Sequence, residues 1–112
     1  MIQTQIKPIS TVSSSNNIKT VKHYIQENYA DPYLSLSTIA AHISLNASYL
    51  CTEFTKSENM TLSSFITNVR IEHAQNLLLY SEMRIADISL AVGYLNATYF
   101  STTFKKVTGQ TP

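Results

Sequence analysis

Only two glycines and three prolines interrupt the 112 residues, and there is a single cysteine. So few helix breakers suit a mostly helical chain, and 44% apolar residues are enough for one compact domain. There is no Gly-rich phosphate loop and no nucleophile motif, and Asp31, Glu58, Glu72, Glu82 and Asp87 form no pattern of paired carboxylates. No catalytic residue is assigned, and an enzyme is not expected. Cys51 cannot make an internal disulfide, which fits a reducing compartment. His23, His42 and His73 lie 19 and 31 residues apart, a match to no common zinc spacing, so neither a metal nor a cofactor is expected. Eight basic residues against seven acidic ones leave no strong global field, which on its own weighs against a partner such as nucleic acid or a membrane surface. No apolar run approaches a membrane span, and the first residues lack the charged-then-apolar order of a signal peptide. The expectation is a cytoplasmic protein with no membrane partner.

What is present is a repeat. Residues 46–61 (NASYLCTEFTKSENMT) return as residues 96–111 (NATYFSTTFKKVTGQT), with one offset of 50 for the tyrosines (99 − 49), the phenylalanines (104 − 54) and the lysines (106 − 56). Asn59 and Gly109 fall at matching points, and both are residues that readily take the left-handed conformation ending a helix. Thr61 and Thr111 follow where a cap for the next helix belongs, and Pro112 would be a first helical position. A fragment of a longer protein, stopping as another helix begins, is the expectation.

Residues 1–16 mix Thr, Ser, Gln and Asn with Pro8 and read as a flexible tail or linker. From about Asn17, the apolar set Ile18, Val21, Tyr24, Ile25 and Tyr29 describes one face of a helix that should stop before Asp31-Pro32. Ser35 can cap a short helix carrying Leu36, Ile39, Ala40 and Ile43; a turn near Ser44 to Asn46 then leads to a third helix. Thr61 can cap a long helix reaching about Tyr80, roughly 30 Å at ~1.5 Å per residue. A second pair follows: a short helix with Ile85, Ile88 and Val92, a turn at Gly93 to Asn96, and a helix from about Ala97 to Val107.

A short helix, a tight turn and a second helix form the arrangement that lays its second helix in the DNA major groove. With Leu50, Phe54, Phe100 and Phe104 inward, the outward stripes are Ala47, Ser48, Cys51, Thr52 and Lys56, then Ala97, Thr98, Ser101, Thr102, Lys105 and Lys106. Short polar side chains approach base edges and phosphates closely, and the lysines reach the backbone. A rod about 30 Å long suits two such helices one DNA turn (~34 Å) apart. Tyr49 and Tyr99 read as half-buried packing residues, Met60 and Met83 as gap fillers, and Arg70 as either a phosphate contact or a structural bond.

Ile88-Ser89-Leu90-Ala91-Val92-Gly93-Tyr94, then Tyr99-Phe100-Ser101, Phe104-Lys105-Lys106 and Gly109-Gln110-Thr111-Pro112, resemble the signature of the AraC/XylS family of bacterial transcription regulators. Arg70-Ile71-Glu72-His73-Ala74 leading into Leu77-Leu78 resembles that family's linker helix. The likeness covers residues 17–112 and implies an all-α fold of six to seven helices: two homeodomain-like helix-turn-helix units (17–60 and 81–112, the last helix missing or truncated) joined by a linker helix over 61–80. It further implies sequence-specific binding of double-stranded DNA in adjacent major grooves, asymmetric sites and control of promoters. The partners so implied are DNA, RNA polymerase and a sensing or receiver domain in the full-length protein. This chain departs from the family where Thr52 and Thr102 stand in place of a frequent arginine, and where Ser44 stands in place of a frequent glycine. Losing arginine removes the commonest guanine reader and shifts weight to thymine methyls, adenine, phosphates and DNA shape. Glu53 could accept from a cytosine amino group or repel phosphate, which makes the first unit the weaker reader. Near-neutral charge leaves one alternative, a helical protein-protein interaction module that does not bind DNA.

Overall fold

Six α-helices and no strand make up the described residues of a computed structural model, which covers the backbone of residues 6–112 and the side chains of residues 16–112. The first helix, α1 (Ile6–Asn28), turns Ile18, Val21 and Ile25 inward at helical spacing. Its backbone is already helical from Ile6, so over residues 6–16 the expected tail or linker is replaced by helix; residues 1–5 of that expectation lie outside the described residues. Past Asn28 the chain turns at Asp31, whose side chain accepts from the Tyr33 N–H at 2.9 Å.

The first helix-turn-helix unit follows. Ser35 and Thr38 close a reciprocal capping box on α2 (Leu36–His42), and Asn46 caps α3 (Ala47–Glu58) by accepting from the Tyr49 N–H at 3.0 Å. Thr61 caps α4 (Leu62–Tyr80), whose 19 residues make a rod of roughly 28 Å. The second unit comprises α5 (Ile85–Ala91) and α6 (Ala97–Thr108), the latter capped by Asn96 accepting from the Tyr99 N–H at 2.8 Å.

There are two cores, and α4 serves both. Ile18, Val21, Ile25, Leu34, Ile39, Leu50, Phe54, Leu62, Ile66 and Val69 pack in the first; Ile71, Ala74, Ile88, Val92, Tyr94, Phe100 and Phe104 pack in the second. Val69 and Ile71 belong to different cores because two residues along a helix rotate the side chain by about 200°. Leu50, Phe54, Phe100 and Phe104 point inward, as their spacing requires. Ile85 differs: it is 37% exposed at the first position of α5, where the helix has not yet reached the core. Met83 is likewise exposed and fills no gap, whereas Met60 packs partly against the first core.

Candidate nucleic-acid interface

Each candidate reading helix is held at both ends by the same chemistry. Asn46 and Asn96 begin them; Asn59 (φ 59°) and Gly109 (φ 83°) end them in the left-handed conformation, their N–H groups donating to the Thr55 and Lys105 carbonyls. The preceding turns also pass through positive φ, at Ser44 (58°) and at Gly93 (102°). Those two residues are 49 apart (93 − 44), whereas the capping asparagines are 50 apart (96 − 46), so the second turn holds one extra residue. That turn carries Tyr94, buried against Phe100, while its N–H donates to the Ser89 carbonyl and its own carbonyl accepts from the buried Ser89 hydroxyl.

On α3, Ser48, Cys51, Thr52 and Lys56 are exposed as expected, whereas Ala47 lies partly against the first core. On α6, Ala97, Thr98, Thr102, Lys105 and Lys106 are exposed, and Ser101 is half-buried. Tyr49 and Tyr99 are more open than their packing role required, at 43% and 63% exposure. They stand at the third position of their helices, before the interior is reached.

Charge separates the two faces. α3 carries Glu53, Lys56 and Glu58, and its lysine sits 4.0 Å from the Glu53 carboxylate, a long exposed pair. Glu58 is bound to Lys22 of α1 at 3.0 Å and accepts from the Ser57 hydroxyl at 2.9 Å. The lysine hydrogen bond holds the Glu58 carboxyl below its ordinary range, against a smaller opposing effect of burial. α6 has Lys105 and Lys106 and no acid, and no ion pair among the described residues engages either lysine.

The linker helix joins this surface. Ser63, Ser64, Thr67 and Asn68 of α4 face Tyr99, Thr102, Thr103 and Lys106 of α6 across an open trough of about 430 Å³. No lining residue is acidic, so every polar group there is a hydroxyl, an amide or an ammonium, donors suited to an anionic chain. Ser63, Thr67 and Tyr99 continue into a second groove of about 380 Å³, bounded by Leu34, Ser35 and Leu36 of the first unit. These α4 residues fall outside the expected set because the apolar positions dominate the pattern of that helix; the complementary run 63, 64, 67, 68 at helical spacing is the signal that marks them.

Arg70 makes the structural bonds. Its guanidinium donates to the Tyr29 and Asp31 carbonyls and lies over the Tyr94 ring. Of the histidines, His42 packs on Tyr24 and His73 stacks on Tyr29, and no group of three potential metal ligands exists among the described residues. No described helix is long and apolar enough to cross a membrane.

A family model described as a helix-turn-helix domain matches residues 39–112. The chain is 36% identical over 89 residues to the melibiose operon regulatory protein of Escherichia coli K12, covering 80% of this chain and 29% of that protein. It is 33% identical over 102 residues to an uncharacterized HTH-type transcriptional regulator of Staphylococcus aureus, covering 91% of this chain and 14% of the relative. The chain thus spans less than a third of the length of either curated relative. Among solved structures, the C-terminal domain of the response regulator AraT from Geobacillus stearothermophilus superposes with a TM-score of 0.85 at 31% identity, over 86% of this chain and 79% of that one. The DNA-binding domain of AdpA, solved with a target DNA, shares the fold at a TM-score of 0.79 and 17% identity, over 85% of each chain. The chain belongs to the AraC-type helix-turn-helix family, whose members are DNA-binding transcription regulators.

Proposed function

We propose that the two units read double-stranded DNA together, α6 and α3 entering neighbouring major grooves, and that the chain regulates transcription by doing so. The observation that carries the reading is the duplicated device: two 12-residue helices with the same caps, joined by a rod close to the ~34 Å between successive grooves on one face of a duplex. Ala47, Ser48, Cys51, Thr52 and Lys56 form the lesser reading face; Ala97, Thr98, Ser101, Thr102, Lys105 and Lys106 form the greater. The acid-free trough between α4 and α6 receives the phosphate chain that runs between the two grooves. A cytoplasmic location, RNA polymerase as partner and a sensing or receiver domain elsewhere in the protein complete the reading; no step calls for a cofactor or a catalytic group.

Selection of bound duplexes from a random oligonucleotide pool tests it. The expected product is an asymmetric two-part motif whose halves lie about one turn, 10 to 10.5 base pairs, apart. Substituting Thr98, Ser101 or Thr102 by alanine is expected to weaken binding of that motif, by about 1–3 kcal/mol for each base edge that the shortened side chain no longer reaches. Unchanged affinity and base preference in all three variants would remove α6 as a reader. Capture of partner proteins without any selected motif would favour the interaction module instead.

A further inference from the structure

Arg70 reaches from the middle of α4 to the place where the two units meet. Its Nε donates to the Tyr29 carbonyl at 2.9 Å and a terminal nitrogen donates to the Asp31 carbonyl at 2.7 Å, both in the connection between α1 and α2. The same guanidinium covers the ring of Tyr94, 5.4 Å from its centroid, in the turn of the second unit. Tyr29 packs against both cores and stacks on His73 with ring centroids 3.9 Å apart. A Cβ on Gly93 would stand 2.6 Å from the Tyr29 carbonyl oxygen and 2.8 Å from the Arg70 Nε, so the second turn is pressed against the end of α1 with the guanidinium beside it.

None of these groups sits on a reading helix, yet together they tie the connection of one unit to the turn of the other. α4 sets the separation of the two units through the residues it gives to each core, and a direct tie between the units limits how far they rock about it. Two charge-assisted hydrogen bonds from one planar fork resist that rocking, and a lysine cannot make both in the same geometry. We infer that Arg70 is a positioning residue that holds the two reading helices at one mutual angle, so that the chain accepts its two half-sites at one spacing only. The inference rests on the two-headed reading proposed above. Spacing matters because one inserted base pair turns one half-site by about 34–36° relative to the other.

Two measurements test it, one without DNA. Cys51 is the chain's one cysteine and is exposed on α3, so adding Thr98→Cys gives a pair of spin-label sites, one on each reading helix. Dipolar spectroscopy should return a narrow distance distribution for this parent, a broad one with Arg70→Ala and an intermediate one with Arg70→Lys. Distributions as narrow as the parent's in both variants would overturn the inference; if the alanine variant does not fold by circular dichroism, the lysine variant decides. The second measurement titrates the duplex selected by the parent chain, and the same duplex with one base pair inserted between the halves. The parent should lose roughly tenfold or more on insertion, whereas Arg70→Ala should bind the original duplex more weakly and change by less than about threefold on insertion. An insertion penalty as steep in both Arg70 variants as in the parent overturns the clamp while leaving two-headed reading intact. A parent that selects no two-part motif overturns both.

Discussion

The first and second units are the same device with different outer chemistry. Each has a 7-residue helix followed by a 12-residue one, an asparagine cap and a left-handed end. Yet α3 carries two glutamates and one lysine where α6 carries two lysines and no acid. Glu58 is spent on α1 through Lys22, while its counterpart fifty residues on, Thr108, bonds back to the Phe104 carbonyl of its own helix at 2.8 Å. Caps and core specify the device, whereas the charge carried on its outer face differs between the copies. The long helix does for α6 what α1 does for α3, with Lys106 bordering the trough between them and Lys105 exposed.

The sharpest contrast between the copies lies in their turns, and it sets the largest expected effect. Gly93→Ala places a methyl 2.6 Å from the Tyr29 carbonyl oxygen at a φ of +102°, so it should cost about 2–3 kcal/mol through strain and displacement of the Arg70 clamp. Ser44→Gly, at the equivalent point of the first turn, relieves a non-glycine residue at φ 58° and should be neutral or stabilising by up to about 1 kcal/mol. Thermal unfolding of the two variants beside the parent reads both signs. A Gly93→Ala variant as stable as the parent would mean the turns are interchangeable and the comparison false.

The helices, the caps and the inward phenylalanines were legible because they rest on local spacing: Asn46, Thr61 and Asn96 each cap a helix within three residues of themselves. The extra residue of the second turn was hidden because it lies just ahead of the segment in which the offset of 50 holds. Arg70 was legible as a residue with two possible roles and no more, since its acceptors lie 41 and 39 positions away and only folding brings them together. Helix over residues 6–16 ran against a Ser- and Asn-rich composition, which lowers helix propensity without forbidding helix. The polar run on α4 was visible in principle, but its meaning depended on α6 lying opposite.

The next effect concerns the lysines at equivalent positions of the two faces. Lys106 borders the acid-free trough, and Lys56 stands by Glu53. Lys106→Ala is expected to weaken DNA binding about tenfold and to reduce the dependence of log K on log salt by ~0.9, the share of one phosphate contact. Lys56→Ala should change both quantities by less than half as much, because Glu53 already offsets its charge. Titrations over a range of salt concentrations compare them, and equal slopes for the two variants would erase the distinction drawn between a stronger and a weaker reading face.

The smallest effect isolates what holds α3 in place. Glu58 titrates below its ordinary value because Lys22 donates to its carboxylate, so the pair stabilises the fold above the pKa of the unfolded chain, and this contribution disappears as pH falls through the lowered folded value. Both side chains touch water, with Lys22 at 42% exposure, which limits the contribution at neutral pH to about 1 kcal/mol or less. Glu58→Gln should therefore lower the melting temperature slightly at pH 7, and the gap to the parent should close as the buffer is taken below the ordinary carboxylate range. Thr108→Val in the second unit removes the hydroxyl that donates to the Phe104 and Gln110 carbonyls and accepts from the Gln110 N–H, none of them charged, so its cost should stay constant across the same pH series. A gap for Glu58→Gln that is equally wide at every pH would show that the ion pair does not anchor α3, and that its caps and the packing of Leu50 and Phe54 set its position.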